Sequence, residues 1–448
     1  MSTAAPALRR RPPPRVSGDL PGDGHMAEFA ADPISFFTRA RAECGELAEF
    51  DLRGQITVLL TGPDAHEAFC RAPDEQLDQG AAYEFMTPIF GTGVIFDAPL
   101  PIRNQQLAIQ TMALRHHNMR SYARVISEEV RRFTDAWGDS GEIELVSAMT
   151  ELTLYTSTHC LLGGEFRETM SAEFAHLYHD LEAGLHALAY VDPHADHPLF
   201  RQRDAARVRL EAMIGEIVER RRAADTEYED ALATFMTATY ENGSRLSANE
   251  ITGLIVATMF AGHHTSSGTA AWVLLELLRH AQFLVPVVRE LEDLLGPAAD
   301  MTRESLREMP RLEAVVRETL RLHPPLNMLA RQVLQDFDFK DYQIEAGKRV
   351  CLCPYVSHRI PEVYPEPERF DPARPEQDSV FTDISFGGGR HRCAGSAFAL
   401  LQLKSIFGTL LRRFTFELVA SPETYVDDTR AITLRPHTPA LVRYRRKG

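Results

Sequence analysis

Phe386-Gly387-Gly388-Gly389-Arg390-His391-Arg392-Cys393-Ala394-Gly395 sets one cysteine in a glycine-rich loop among basic residues, and a helical run over 396–411 follows at once. Consecutive glycines permit positive φ and let a backbone approach a flat body without a Cβ clash. Cys393 stands just ahead of a helix N-terminus, where free N–H groups and the helix dipole favour a thiolate. A thiolate presented by bare backbone to a planar surface is what haem iron takes as an axial ligand, and such a ligand promotes O–O cleavage. The plainer reading is a glycine-rich turn with one buried cysteine. The full succession of residues favours the haem ligand.

The whole chain bounds the reading. Its 448 residues are 44% hydrophobic and 25% charged, the composition of a globular protein with ample core. A net charge of −15 speaks against nucleic acid as a partner, because phosphates need a basic surface. Six cysteines (Cys44, Cys70, Cys160, Cys351, Cys353, Cys393) follow neither disulfide-framework nor zinc spacing, which fits a reducing cytoplasm. Cys351 and Cys353 alternate with apolar residues and read as small buried hydrophobes on one strand face. No segment has the length of an uninterrupted transmembrane helix, since the best apolar run, 251–262, ends in His263-His264. Residues 1–18 are rich in Arg and Pro without an apolar signal core. They read as a disordered tail, with no transmembrane anchor, ahead of a single domain over 19–448.

Residues 32–43 read as a short helix and 47–60 as a hairpin turning at Arg53-Gly54. Residues 98–241 are mostly helical in pattern. Ser247-x-x-Glu250 reads as a capping box opening a helix that runs to about His280. Some thirty residues at that rise span roughly 45 Å, and a helix so long and apolar on several faces crosses the middle of a large domain. A second helix over 312–322 stops at His323-Pro324-Pro325. Strands over 329–353, a Pro-rich meander over 361–375 and a β segment over 415–445 complete a mainly α chain with small β-sheets.

Two further constellations carry chemistry. Ala261-Gly262-His263-His264-Thr265-Ser266-Ser267 joins a small pair to a row of hydrogen-bonding side chains. Thr265 can bond its own i−4 carbonyl and open the helix locally, leaving a hydroxyl to hold O₂ and a proton-carrying water. A helix with polar residues facing a water pocket is the plainer alternative. Glu318-x-x-Arg321 places opposite charges on one helix face. As an exposed pair it would contribute well under ~1 kcal/mol.

In this order the three stretches resemble the cytochrome P-450 superfamily: its haem-ligand loop, its oxygen groove, and its buried Glu–Arg pair. The pair is followed by Pro367-Glu368-Arg369-Phe370-Asp371-Pro372-Ala373-Arg374, similar to the meander that supplies a locking arginine. Within the superfamily, Tyr83-Glu84-Phe85-Met86-Thr87-Pro88-Ile89-Phe90-Gly91-Thr92-Gly93-Val94-Ile95-Phe96-Asp97 resembles the B–C signature of sterol 14α-demethylases. The 262–267 stretch does so as bacterial members write it, and the likeness runs from about Arg15 to Arg446. His264 stands where most superfamily members carry Asp or Glu.

The resemblance implies one cytochrome P-450 fold: a triangular helical body with small β-sheets, and haem b between the long helix and the Cys393 loop. It implies Cys393 as the metal ligand, Thr265 and His264 as catalytic proton carriers, and Phe386, Gly387, Ala261 and Gly262 against the haem. Tyr83, Arg331 and His391 are expected at the propionates. Gln106 aligns where close relatives place a basic residue and Gln110 with a further haem-facing position, so both are expected to bind cofactor. Phe85, Met86, Phe90, Phe96 and Phe260 are expected to line the substrate cavity. Leu326, Met328, Ile432 and Thr433 join them, with Thr433 where an apolar contact is usual.

The implied activity is that of a haem-thiolate monooxygenase using O₂ and two electrons on a hydrophobic substrate. Sterol 14α-demethylation, a three-step oxidation of a methyl group with formate release, is the reading favoured. The Gln106, Gln110 and Thr433 departures leave a tailoring hydroxylase of another hydrophobic natural product as the alternative. Nothing resembles a flavin or iron–sulfur domain, so electrons are expected from a ferredoxin with its reductase or a similar donor. Arg390, Arg392, Lys404, Arg412 and Arg413 read as a basic docking patch for it.

Overall fold

The computed structural model describes residues 10–114, 119–169, 171–185, 189, 192–224, 226, 228–295, 301–375, 377, 379–430 and 433–448. The chain divides into two compact units. One comprises Met1–Ala82, Leu326–Arg369 and Pro375–Arg392, the other Tyr83–Pro325, Phe370–Arg374 and Cys393–Gly448.

Short apolar runs, buried at consecutive positions in the central strands, build the first unit's main sheet. Leu47–Leu52 and Gln55–Leu60 form the expected hairpin, with Arg53 and Gly54 both at positive φ. Gln55–Leu60 pairs in parallel with Arg349–Leu352, and that strand pairs antiparallel with Leu329–Val333, where Arg331 stands opposite Val350. Leu77–Asp78 closes the far edge. Buried Val58, Leu60, Val333, Val350 and Leu352 pack with Phe69 and Phe337. Cys351 and Cys353 are fully buried, as their alternation indicates.

The disordered tail expected through Gly18 is corrected over residues 10–18. Arg11 forms a β-bridge with Tyr342, and Val16 is buried with its N–H donating to Glu49 O at 2.8 Å. Pro12, Pro13 and Pro14 restrict φ in advance, so less chain entropy is lost when the segment lies along the sheet.

The second unit is helical around Ala248–Arg279. Its capping box is present: Ser247 Oγ accepts from Glu250 N–H at 3.2 Å, and Ser247 N–H donates to Glu250 Oε2 at 2.7 Å. Residues 251–260 and 266–277 are all buried, so this helix is core on every face. It packs against Leu145–Thr169, Pro198–Ala223, Pro310–Leu322 and Ser396–Arg413. Ser140–Glu144, Leu441–Arg446 and Phe414–Leu418 form a three-stranded antiparallel sheet. No single helix among the described residues is long and apolar enough to cross a membrane.

Candidate active site

Cys393 lies just ahead of the Ser396–Arg413 helix, and its carbonyl accepts from Ser396 N–H at 3.4 Å. It is the one exposed cysteine among those described. Burial pushes the thiols of Cys351 and Cys353 up, the latter to about 12, so both stay protonated and inert. Among the described cysteines, only Cys393 is exposed and only Cys44 is half-buried; the other four are buried.

In the first unit, packing demands the glycines that precede Cys393 in sequence. Gly387 and Gly389 have φ of +65° and +60°, and a Cβ on Gly389 would lie 2.1 Å from Cys70 O. Phe386 and Gly387 are half-buried. His391 Nε2 stands 2.5 Å from Asp74 Oδ1, and Arg390 Nη1 lies 3.3 Å from Oδ2. Burial raises the Asp74 pKa, but His391 and then Arg390 outweigh it and hold the carboxyl below its ordinary value. Asp74 has no sequence signal, being one loop aspartate among many. Arg331 is buried, with Nη1 donating to Ala330 O at 2.8 Å and the guanidinium 5.1 Å from the Phe69 ring centre.

Away from its two ends, only Ala261, Gly262, His264 and Thr265 of the long helix are not buried. A Cβ on Gly262 would meet nothing within 4 Å. Thr265 Oγ1 donates to Ala261 O at 2.6 Å, as expected. The helix nevertheless runs unbroken, so the hydroxyl bond is accommodated without the local opening anticipated from the sequence.

His264 Nε2 is hydrogen-bonded to Glu182 Oε1, and His263 Nδ1 is 3.3 Å from the same oxygen. Burial raises the Glu182 pKa, yet hydrogen bonds from both rings bring it down to about 2. The carboxylate that position 264 lacks is thus supplied by helix Ser171–Ala183. Sequence reasoning had no means of pairing residues 82 positions apart.

The 83–97 signature forms a chain of rings in the same unit. Tyr83 stacks on Phe96 at 5.0 Å and packs with Phe85 at 6.0 Å; Phe90 stacks on Phe96 at 5.8 Å and meets Phe260 edge-on at 6.1 Å. Met86 packs against the same cluster. Thr433 is half-buried beside Leu434, whose N–H donates to Pro325 O at 2.8 Å. Leu326 is exposed and Met328 half-buried in the first unit, and Ile432 lies outside the described residues.

Gln106 is corrected. It is fully buried; its Oε1 accepts from Ile95 N–H at 2.7 Å, and its Nε2 donates to Gly93 O at 2.9 Å and Tyr240 OH at 3.0 Å. Both amide protons are committed, so none remains for a propionate. Gln106 instead brackets the signature loop to Tyr240, which donates to Glu250 Oε1 at 2.6 Å. Gln110 Nε2 likewise donates to Thr258 Oγ1 at 2.8 Å, tying its helix to the long helix.

The Glu–Arg pair is buried as the resemblance implies. Arg321 donates through Nε and Nη2 to Glu318 at 2.8 Å each, and Arg374 Nε reaches Glu318 Oε1 at 3.0 Å. The basic docking patch is corrected at three of its five residues. Lys404 is buried and donates to Glu313 Oε2 at 2.9 Å, Arg413 pairs with Asp135 at 2.7 Å, and Arg390 serves Asp74. Counting charges along the sequence missed the acids that neutralise them.

The residues present fit haem. An exposed sulfur on a short loop is a soft ligand for iron, and exposed Ala261 with half-buried Gly262 offers a flat wall on a mostly buried helix. Gly262, where a Cβ would find open space, leaves that wall clear.

Residues 13–442 match the Cytochrome P450 family model. The chain is 46% identical to a sterol 14α-demethylase of Mycobacterium tuberculosis, covering 97% of this chain and 98% of the relative. It is 31% identical to a human lanosterol 14-alpha demethylase, over 97% of this chain and 87% of that protein. A retinoic acid-bound cyanobacterial CYP120A1 shares the fold with a TM-score of 0.86 at 24% identity, covering 98% of this chain and all of that one. The family implies a haem-thiolate cofactor and a redox partner that supplies electrons. The chain belongs to the cytochrome P450 family and is a P450 monooxygenase.

Proposed function

We propose that this monooxygenase is a sterol 14α-demethylase, oxidising a sterol methyl group in three steps and releasing it as formate. The observation that carries this reading is 46% identity, sustained over nearly the whole chain, to a mycobacterial protein of that name. The ring series Tyr83, Phe96, Phe90 and Phe260 supports it, because a rigid apolar wall suits a flat hydrocarbon skeleton.

When bound, the haem supplies O₂ activation with two electrons from a partner, which is chemistry no side chain here can perform. Cys393 would hold it through its thiolate, and Tyr83, Arg331 and His391 would hold its propionates, with Asp74 fixing the His391 ring through Nε2. Phe85, Met86, Phe90, Phe96 and Phe260 exclude water and orient the sterol, and Leu326, Met328 and Thr433 contribute further contacts.

Thr265 donates its hydroxyl proton to Ala261 O, so its oxygen lone pairs face outward as acceptors. It holds a proton at Oγ1 and passes it on by rotating about χ1. His264 is the ring that carries protons in this path, and Glu182 fixes its orientation through Nε2. Proton supply therefore runs from the Glu182–His264 pair toward Thr265 Oγ1.

Titration of the purified protein with lanosterol-type sterols, read at the haem Soret band, tests the substrate. A saturable spin shift is expected, and no shift removes the sterol reading. Thr265→Ala is expected to uncouple NAD(P)H consumption from product; unchanged coupling removes Thr265 from proton delivery.

A further inference from the structure

Two helices of the second unit bring three metal-binding side chains together. Glu182, His263 and His264 each offer one ligand atom, and the three atoms lie within 4.8 Å of one another, the one such group among the described residues. We propose that Glu182, His263 and His264 form an inhibitory binding site for a divalent transition metal, with zinc the best fit.

The donor set is the first argument. Two imidazoles and a carboxylate with a fourth position left for water are what zinc takes, whereas calcium and magnesium prefer all-oxygen sites. Bonds of ~2.0–2.1 Å in a tetrahedron place the donors roughly 3.3 Å apart. His263 Nδ1 and Glu182 Oε1 already stand at 3.3 Å, so only the shorter His264 contact has to open.

The second argument is where the protons sit. His263 Nε2 lies 3.0 Å from Thr150 O, and a carbonyl only accepts, so that nitrogen carries the hydrogen. His263 Nδ1 then turns either a second proton or a bare lone pair toward the carboxylate. A cation between them lets the neutral ring ligate through Nδ1 while Nε2–H stays on the carbonyl. That is the outer-shell arrangement that fixes metal-binding histidines.

A third observation comes from Tyr178 on the same helix as Glu182. Its hydroxyl is buried and has no partner at hydrogen-bond geometry. A water on the metal's fourth position would give that hydroxyl a partner.

Metal at this site would occupy the His264 lone pair needed to pass protons, so turnover would fall while haem binding stayed intact. That consequence alone rests on the proton-relay reading given above.

The test uses tag-free holoprotein stripped with chelator and titrated with zinc sulfate against a chromophoric competitor. One equivalent of zinc per chain is expected, bound at least about tenfold more weakly by Glu182→Gln and by His264→Ala, each showing a normal Soret band. Zinc-edge X-ray absorption on the unmodified protein needs no variant, and should show nitrogen and oxygen donors at ~2.0–2.1 Å with imidazole scattering. No stoichiometric uptake, or equal affinity in both variants, overturns the site. Zinc bound as expected with undiminished product formation keeps the metal site but overturns its inhibitory role and removes His264 from the proton path.

Discussion

Gln106→Leu separates two roles for one residue. The substitution keeps side-chain volume and removes all three hydrogen bonds, to Ile95 N–H, Gly93 O and Tyr240 OH. Each group left unpaired in a buried setting costs about 1 kcal/mol, so the loss sums to about 3 kcal/mol. Against a typical total of about 5–15 kcal/mol this is large, and it lowers the folded-to-unfolded ratio by roughly two orders of magnitude. The assay compares denaturant midpoints of the haem-free variant and wild type, beside haem-loss rate and reduction potential of the loaded proteins. A bracket for the signature loop predicts a lower midpoint without haem and an unchanged potential. An unchanged midpoint with a shifted potential or faster haem loss would refute the reasoning and return Gln106 to the propionates.

Other consequences are as direct. Glu318→Gln removes the carboxylate that buried Arg321 and half-buried Arg374 share; a loss of about 3–5 kcal/mol and failure to accumulate haem-loaded protein are expected, with a milder effect for Arg374→Ala. Gly389→Ala forces an L-residue to φ +60° against Cys70 O, and reduced haem retention on purification would register the loop's collapse. Gly262→Ala meets no atom within 4 Å, so thermal stability should hold or rise by about 1 kcal/mol in helix propensity. Burial opposes charge on His323, but Asp427 at 2.9 Å and Glu276 at 3.5 Å overcome it and raise its pKa. Its contribution is therefore full below about pH 6.5 and lost as pH rises through the folded value; a denaturation midpoint that falls across that window should flatten in His323→Gln.

What could be read from sequence was what contiguous residues determine. The 386–395 loop is legible because its turn needs positive φ at Gly387 and Gly389, a local demand that glycine meets. The long helix is legible because Ser247 and Glu250 mark its start and apolar residues fill every face. Side chains that act through distant partners were not legible. Glu182 reaches His264 from another helix, and Asp74 reaches His391 across 317 positions. Gln106 illustrates the converse, because an aligned position carries a role over while the side chain's partners do not follow. Lys404 counted as surface charge in the sequence and is buried against Glu313 in the fold.

Product analysis of a reconstituted reaction, with the purified protein, a ferredoxin, its reductase, NAD(P)H and a 14α-methyl sterol, tests the assignment most directly. The prediction is a 14α-demethylated sterol with formate released in equal amount, abolished by Cys393→Ala. A hydroxylated sterol without carbon–carbon cleavage, or no sterol product while another hydrophobic skeleton is oxidised, would contradict it.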